Sequence, residues 1–100
     1  MFVRDSLNAL AADIHATATE KGWWDRDAGT DALIVLDEAL ELQREFAHGI
    51  GHHESTQCPG YRNDEIECAD VIIAALSLAR QQGWNIGGAV MAKAEFNKTR

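Results

Sequence analysis

The chain has 100 residues, 46% of them hydrophobic and 25% charged, with a net charge of −7 from 16 acids against 9 Lys+Arg. That balance excludes a disordered chain, and the acidic surplus argues against a polynucleotide partner, which would call for a basic surface. Two cysteines are too few for a disulfide framework, and no apolar run approaches the ~20 residues of a membrane span.

One proline and few β-branched runs point to helix throughout, in a single domain over residues 1–100. Residues 3–20 carry Leu7, Leu10, Ala11 and Ile14 at helical spacing. The stretch KGWWDRDAGT follows, with Gly22 and Gly29 as breakers. Thr30 or Asp31 is the expected cap of a second helix that ends near Phe46 or Ala47. GIGHHESTQCPGY then reads as a flexible polar loop, with glycines, a proline and no periodicity. A third helix is expected from Asn63 or Asp64 to Gln82, stopped by Gly83, and a short fourth over residues 86–97. The expected fold is all-α, a four-helix bundle whose core is completed by oligomerisation. The start, MFVRDSLNAL, has no signal-peptide apolar region, so the expected location is the cytoplasm.

The second helix poses the functional question. At about 100° per residue, Glu38, Glu41 and Glu45 share a sector with Ile34, Val35 and Leu42. The third helix repeats the arrangement: Glu67 and Asp70 share theirs with Val71, Ala74 and Leu78. Unpaired carboxylates cost several kcal/mol each to bury, so a fold tolerates them only with a cation or strong hydrogen bonds. Four oxygen donors on two antiparallel helices suit a hard divalent ion, Mg²⁺ with Mn²⁺ as substitute, whose open positions accept phosphate oxygens. The bland alternative is a pair of solvated helix faces.

His48, His52, His53 and Cys58 fall in or beside the loop. Their spacing matches no usual zinc pattern, and the adjacent histidines are expected to diverge. Cys68, between the acids of the third helix, is expected to be a small packing residue. Trp23, Trp24 and Trp84 suit core or subunit interface more readily than a base platform.

The order of these stretches resembles a known family. DEALE (residues 37–41) followed by ECAD (residues 67–70) is similar to the EExxE…ExxD signature of the MazG-like all-α nucleotide pyrophosphohydrolases. KGWWD resembles the segment before the first motif helix, CADVIIAALSLARQQGWNI the stretch after ExxD, and KAEFNKTR the closing K-x₃-N-x₂-R. The likeness covers residues 8–100. Asp37 stands where the first Glu of EExxE is common, and its shorter reach leaves it out of the ligand set.

The resemblance implies Mg²⁺-dependent hydrolysis of a nucleoside triphosphate between its α and β phosphates, in nucleotide-pool control or house-cleaning. Glu38, Glu41, Glu67 and Asp70 would be the metal and catalytic residues, with Glu41 or Glu38 as general base. Lys93, Asn97 and Arg100, with Lys21, would bind phosphate, and Trp24 and Asn8 the nucleoside. A homodimer or homotetramer is implied. The alternative is a catalytically inactive acidic helical bundle that binds a protein partner. A di-iron carboxylate bundle ranks last, because none of the motif acids has a histidine three residues on.

Overall fold

A computed structural model describes residues 3–23, 27–49 and 51–99. It is all-α, with α1 (Val3–Glu20), α2 (Ala28–His48), α3 (Asn63–Gln81) and α4 (Ile86–Lys98), and no strand among the described residues beyond an isolated bridge between Glu54 and Arg62. No helix among them is long and apolar enough to cross a membrane. The chain forms two compact units, one of residues 1–28 and 76–100, the other of residues 29–75.

In the first unit α1 packs on α4. Two glycines stop helices by taking the left-handed conformation that other residues resist: Gly22 (φ 72°) after α1 and Gly83 (φ 73°) after α3. Behind each, the next backbone N–H reaches back into the last turn, Trp23 to the Ala18 carbonyl at 2.8 Å and Trp84 to that of Ala79 at 2.9 Å. Among the described residues, Ala11, Ala18 and Ala79 with Leu76 are the buried apolar set, mostly small side chains. Trp23 and Trp84 are exposed, outside that core.

The start of α4 is held by two asparagines. Asn85 is its cap, accepting from the Gly88 N–H at 3.0 Å. Asn8, on α1, accepts from the Gly87 N–H at 2.9 Å and donates to the Asn85 side-chain oxygen at 2.8 Å. Three otherwise loose polar groups are thereby satisfied together.

The second unit holds α2, the loop and the first part of α3. Helix α2 begins earlier than its sequence suggests: Gly29, Thr30 and Asp31 all lie inside it, and Asp31 is buried. Glycine breaks a helix weakly in the first turn, where backbone N–H groups have no intrahelical partner to lose.

The loop is ordered, against expectation. Ser55, buried, accepts from the N–H groups of Gln57 and Cys58, and its own N–H donates to the Tyr61 carbonyl at 2.8 Å. The Gly60 N–H donates to Glu54 Oε1, and the Asn63 N–H to the His53 carbonyl. Serine and glutamate side chains thus replace the backbone pairing that a periodic sequence would provide. His52 and His53 do not diverge; their rings meet edge to face with centroids 4.5 Å apart.

Gly51 closes the loop onto both helices. Its N–H donates to the Glu45 carbonyl and its carbonyl accepts from the Asp64 N–H at 2.9 Å. A Cβ there would stand 3.1 Å from the Cβ atoms of both Glu45 and Asp64, tighter than ordinary contact.

Asn85→Ala should lower stability by about 1–2 kcal/mol, from the lost cap and the orphaned Asn8 amide. Gly51→Ala should cost about 1–3 kcal/mol through steric crowding. Denaturant midpoints at constant m-value check both.

Candidate metal centre

Both α2 and α3 are turned against their apparent polarity. On α2 the partly buried face holds Ile34, Val35, Glu38, Leu42 and Glu45, while Leu33, Leu36 and Leu40, about half a turn round, are 60%, 53% and 43% exposed. On α3, Glu67, Asp70, Val71, Ala74 and Leu78 are partly buried, and Ile72 and Ile73 face out. The acids lie inward and several of the largest aliphatics outward.

The acids also converge. Glu38, Glu67 and Asp70 each offer one carboxylate oxygen, and the three oxygens lie within 4.8 Å of one another. Glu41 stands at the exposed rim, and its charge acts on Glu38, Glu67 and Asp70. Glu38 Oε2 and Glu67 Oε2 are buried with no hydrogen-bond partner, as is Glu45 Oε2 two turns beyond Glu38 on α2. Thus the structure brings together Glu38, Glu67 and Asp70, with Glu41 beside them.

The electrostatics follow from this crowding. Desolvation, then the charges of Glu41, Asp70 and Glu67, push the Glu38 carboxyl up to about 7. Glu67 is raised by the same burial and by Glu41, Asp70 and Glu45; Asp70 is raised by burial and by Glu41. Every neighbouring charge acting on the three is negative. Such a cluster is relieved either by protons or by a divalent cation. The donor set fits a hard ion: all oxygen, anionic, on two rigid helices, with orphaned oxygens that a cation would satisfy.

The other expected residues belong elsewhere. Lys21 Nζ lies 5.5 Å from the Trp23 ring centroid, and Lys93 Nζ 4.6 Å from that of Phe96. Asn97 is exposed on α4 beside the Lys98–Glu95 ion pair. These three are in the unit of α1 and α4. Asn8 holds Asn85 and Gly87, so its oxygen and one of its N–H groups are already engaged. Trp24 and Arg100 lie outside the described residues. Cys68 is exposed, and Cys58 also; helix position puts Cys68 on the flank of the acid row, so it is not a packing residue.

Sequence reasoning put Glu45, which is partly buried, in one sector with Glu38. It missed Asp64, a buried acid whose Oδ2 is 2.7 Å from the Arg62 guanidinium. The Arg-x-Asp spacing at a helix start was the available signal.

The chain matches no family model, no curated protein and no solved structure.

Raised carboxyl values set a pH dependence. The folded chain holds protons on Glu38 that the unfolded chain releases near 4.5, so this group favours folding below that pH and the advantage is lost as pH rises through about 7. Melting temperature in chelator should therefore fall between pH 4.5 and 7. Glu38→Gln should flatten that fall, and saturating Mg²⁺ should offset it.

Proposed function

We propose that the chain is a Mg²⁺-dependent nucleoside triphosphate pyrophosphohydrolase, cleaving between the α and β phosphates. The observation that carries this reading is the convergence of Glu38, Glu67 and Asp70 oxygens within 4.8 Å on helices that turn their acids inward. The resemblance of DEALE…ECAD and the flanking stretches to MazG-like enzymes supplies the reaction class.

Glu38, Glu67 and Asp70 hold the ion, and Glu45 adds negative potential from two turns beyond Glu38 on α2. When bound, Mg²⁺, or Mn²⁺ in its place, neutralises phosphate charge and lowers the pKa of water. Glu41 is at the exposed rim, where substrate arrives, and is the assigned general base. It takes a proton as water oxygen attacks the α-phosphorus. The bond from that phosphorus to the bridging oxygen breaks, and pyrophosphate leaves with the electron pair, giving the monophosphate. Lys21, Lys93, Asn97 and Arg100 are assigned to phosphate by the resemblance alone.

Assembly belongs to the same proposal. Leu33, Leu36 and Leu40 form one exposed stripe on α2, an apolar surface that a chain of this size does not cover by itself. A second copy is the assigned occupant, giving a homodimer or homotetramer. The stripe also gives the second reading, an inactive bundle that binds a different protein, its specific footing.

Pyrophosphate release from a panel of triphosphates with Mg²⁺ tests the reaction. Glu41→Gln should cut turnover by about 10²-fold or more while Mn²⁺ still binds. Asp70→Asn should weaken Mn²⁺ binding, read by electron paramagnetic resonance, along with turnover. Absence of release from every triphosphate, with a foreign protein bound tightly, would favour the second reading. Light scattering should give a mass at least twice that of the chain, and Leu36→Glu should lower it.

A further inference from the structure

An open groove of about 390 Å³ lies on the unit of α2 and α3, lined by Leu42, Phe46, Arg62, Asp64, Glu65 and Cys68. It continues the acid row. Leu42 is one turn beyond Glu38 on α2, and Asp64 is three residues before Glu67 on α3. The near ends of the two walls are thus displaced by roughly one 5.4 Å pitch from Glu38 and Glu67, and Phe46 lies eight residues, about 12 Å, beyond Glu38.

The lining is mostly carbon. Phe46 is 67% exposed, a large ring left on the surface at the end of a helix. The polar groups are gathered at the start of α3, with Arg62 directly before it. Arg62 is fixed by Asp64 Oδ2 at 2.7 Å, and Glu65 Oε1 accepts from the Arg62 backbone N–H at 3.1 Å. Only part of the guanidinium fork is used, and Glu65 keeps a second oxygen. An apolar slot with one ordered edge of donors and acceptors suits a flat heteroaromatic ring.

We infer that this groove receives the nucleobase of the substrate, its ring against Phe46 and its polar edge read by Arg62 and Glu65. The inference rests on the acidic cluster being the phosphate-processing centre. It places the base on the same compact unit as the carboxylates, one to two turns along, a span that the ribose and α-phosphate bridge together. It also accounts for Asn8, whose amide is engaged with α4 and is not needed to recognise the base.

The experiment uses the full chain, a panel of deoxynucleoside triphosphates and Mg²⁺ for turnover, and Mn²⁺ resonance for the metal. Phe46→Ala should raise KM by about tenfold across the panel, the loss expected of one stacking contact, while Mn²⁺ affinity changes less than about twofold. Phe46→Trp should keep KM close to that of the native chain, and Arg62→Ala should reorder the preference among bases. An active native protein whose KM is indifferent to Phe46→Ala overturns the groove assignment alone. A native protein that binds Mn²⁺ and releases no pyrophosphate from any triphosphate overturns the groove and the enzymatic reading together.

Discussion

Carboxylates packed against carboxylates are the constraint on which the rest of this structure depends. A helix with Leu33, Leu36 and Leu40 on one side and Glu38 and Glu45 on the other would normally bury the leucines. Here α2 does the reverse, and α3 matches it by exposing Ile72 and Ile73 while Glu67 and Asp70 turn in. Two elements making the same unfavourable choice, against each other, is hard to reconcile with two solvated faces that happen to meet. In the free chain the cost shows as raised carboxyl affinity for protons, with Glu38 near 7. A divalent cation, if bound there as proposed, would compete with those protons and remove the penalty, linking stability and cation affinity through one set of oxygens.

The exposed aliphatics are the other half of that inversion. Burying acids leaves the leucines of α2 in water, where they favour association. In the proposed reading, metal chemistry and self-association would draw on opposite faces of one helix, and a change that rotated α2 to bury its leucines would lose both.

Much of this was legible in the residues. Periodicity placed Glu38, Glu67 and Asp70 on their inward faces, because a 100° step carries direction as well as class, whereas Glu41 of the same sector is exposed. Gly22 and Gly83 gave the helix ends, since a left-handed residue is a local requirement. Gly29 misled, because the same residue at a first turn costs little. The loop was read as flexible because its order comes from Ser55, Glu54 and Gly51 bonding to backbone several residues away, which leaves no period to detect. Exposure of Cys68 was missed for a different reason. Its neighbours in sequence point inward, and only the position of α2 decides which flank of α3 is covered.

The ordered loop explains how the two acid rows keep register. Gly51 takes the Glu45 carbonyl and gives its own to the Asp64 N–H, so the last turn of α2 and the first turn of α3 are fixed through one residue. Arg62 then neutralises Asp64, and Glu65 closes the helix start by accepting from the Arg62 N–H. Each of these contacts sits one to two turns from the carboxylate cluster, and none uses a carboxylate of that cluster. Register is thereby set by backbone and by a separate ion pair, and among the described residues no cation acts on Glu38, Glu67 or Asp70. That separation is what a cation site requires: had Arg62 reached Glu67 instead of Asp64, the fold would be steadier and the centre would have no vacancy of charge for a metal to fill.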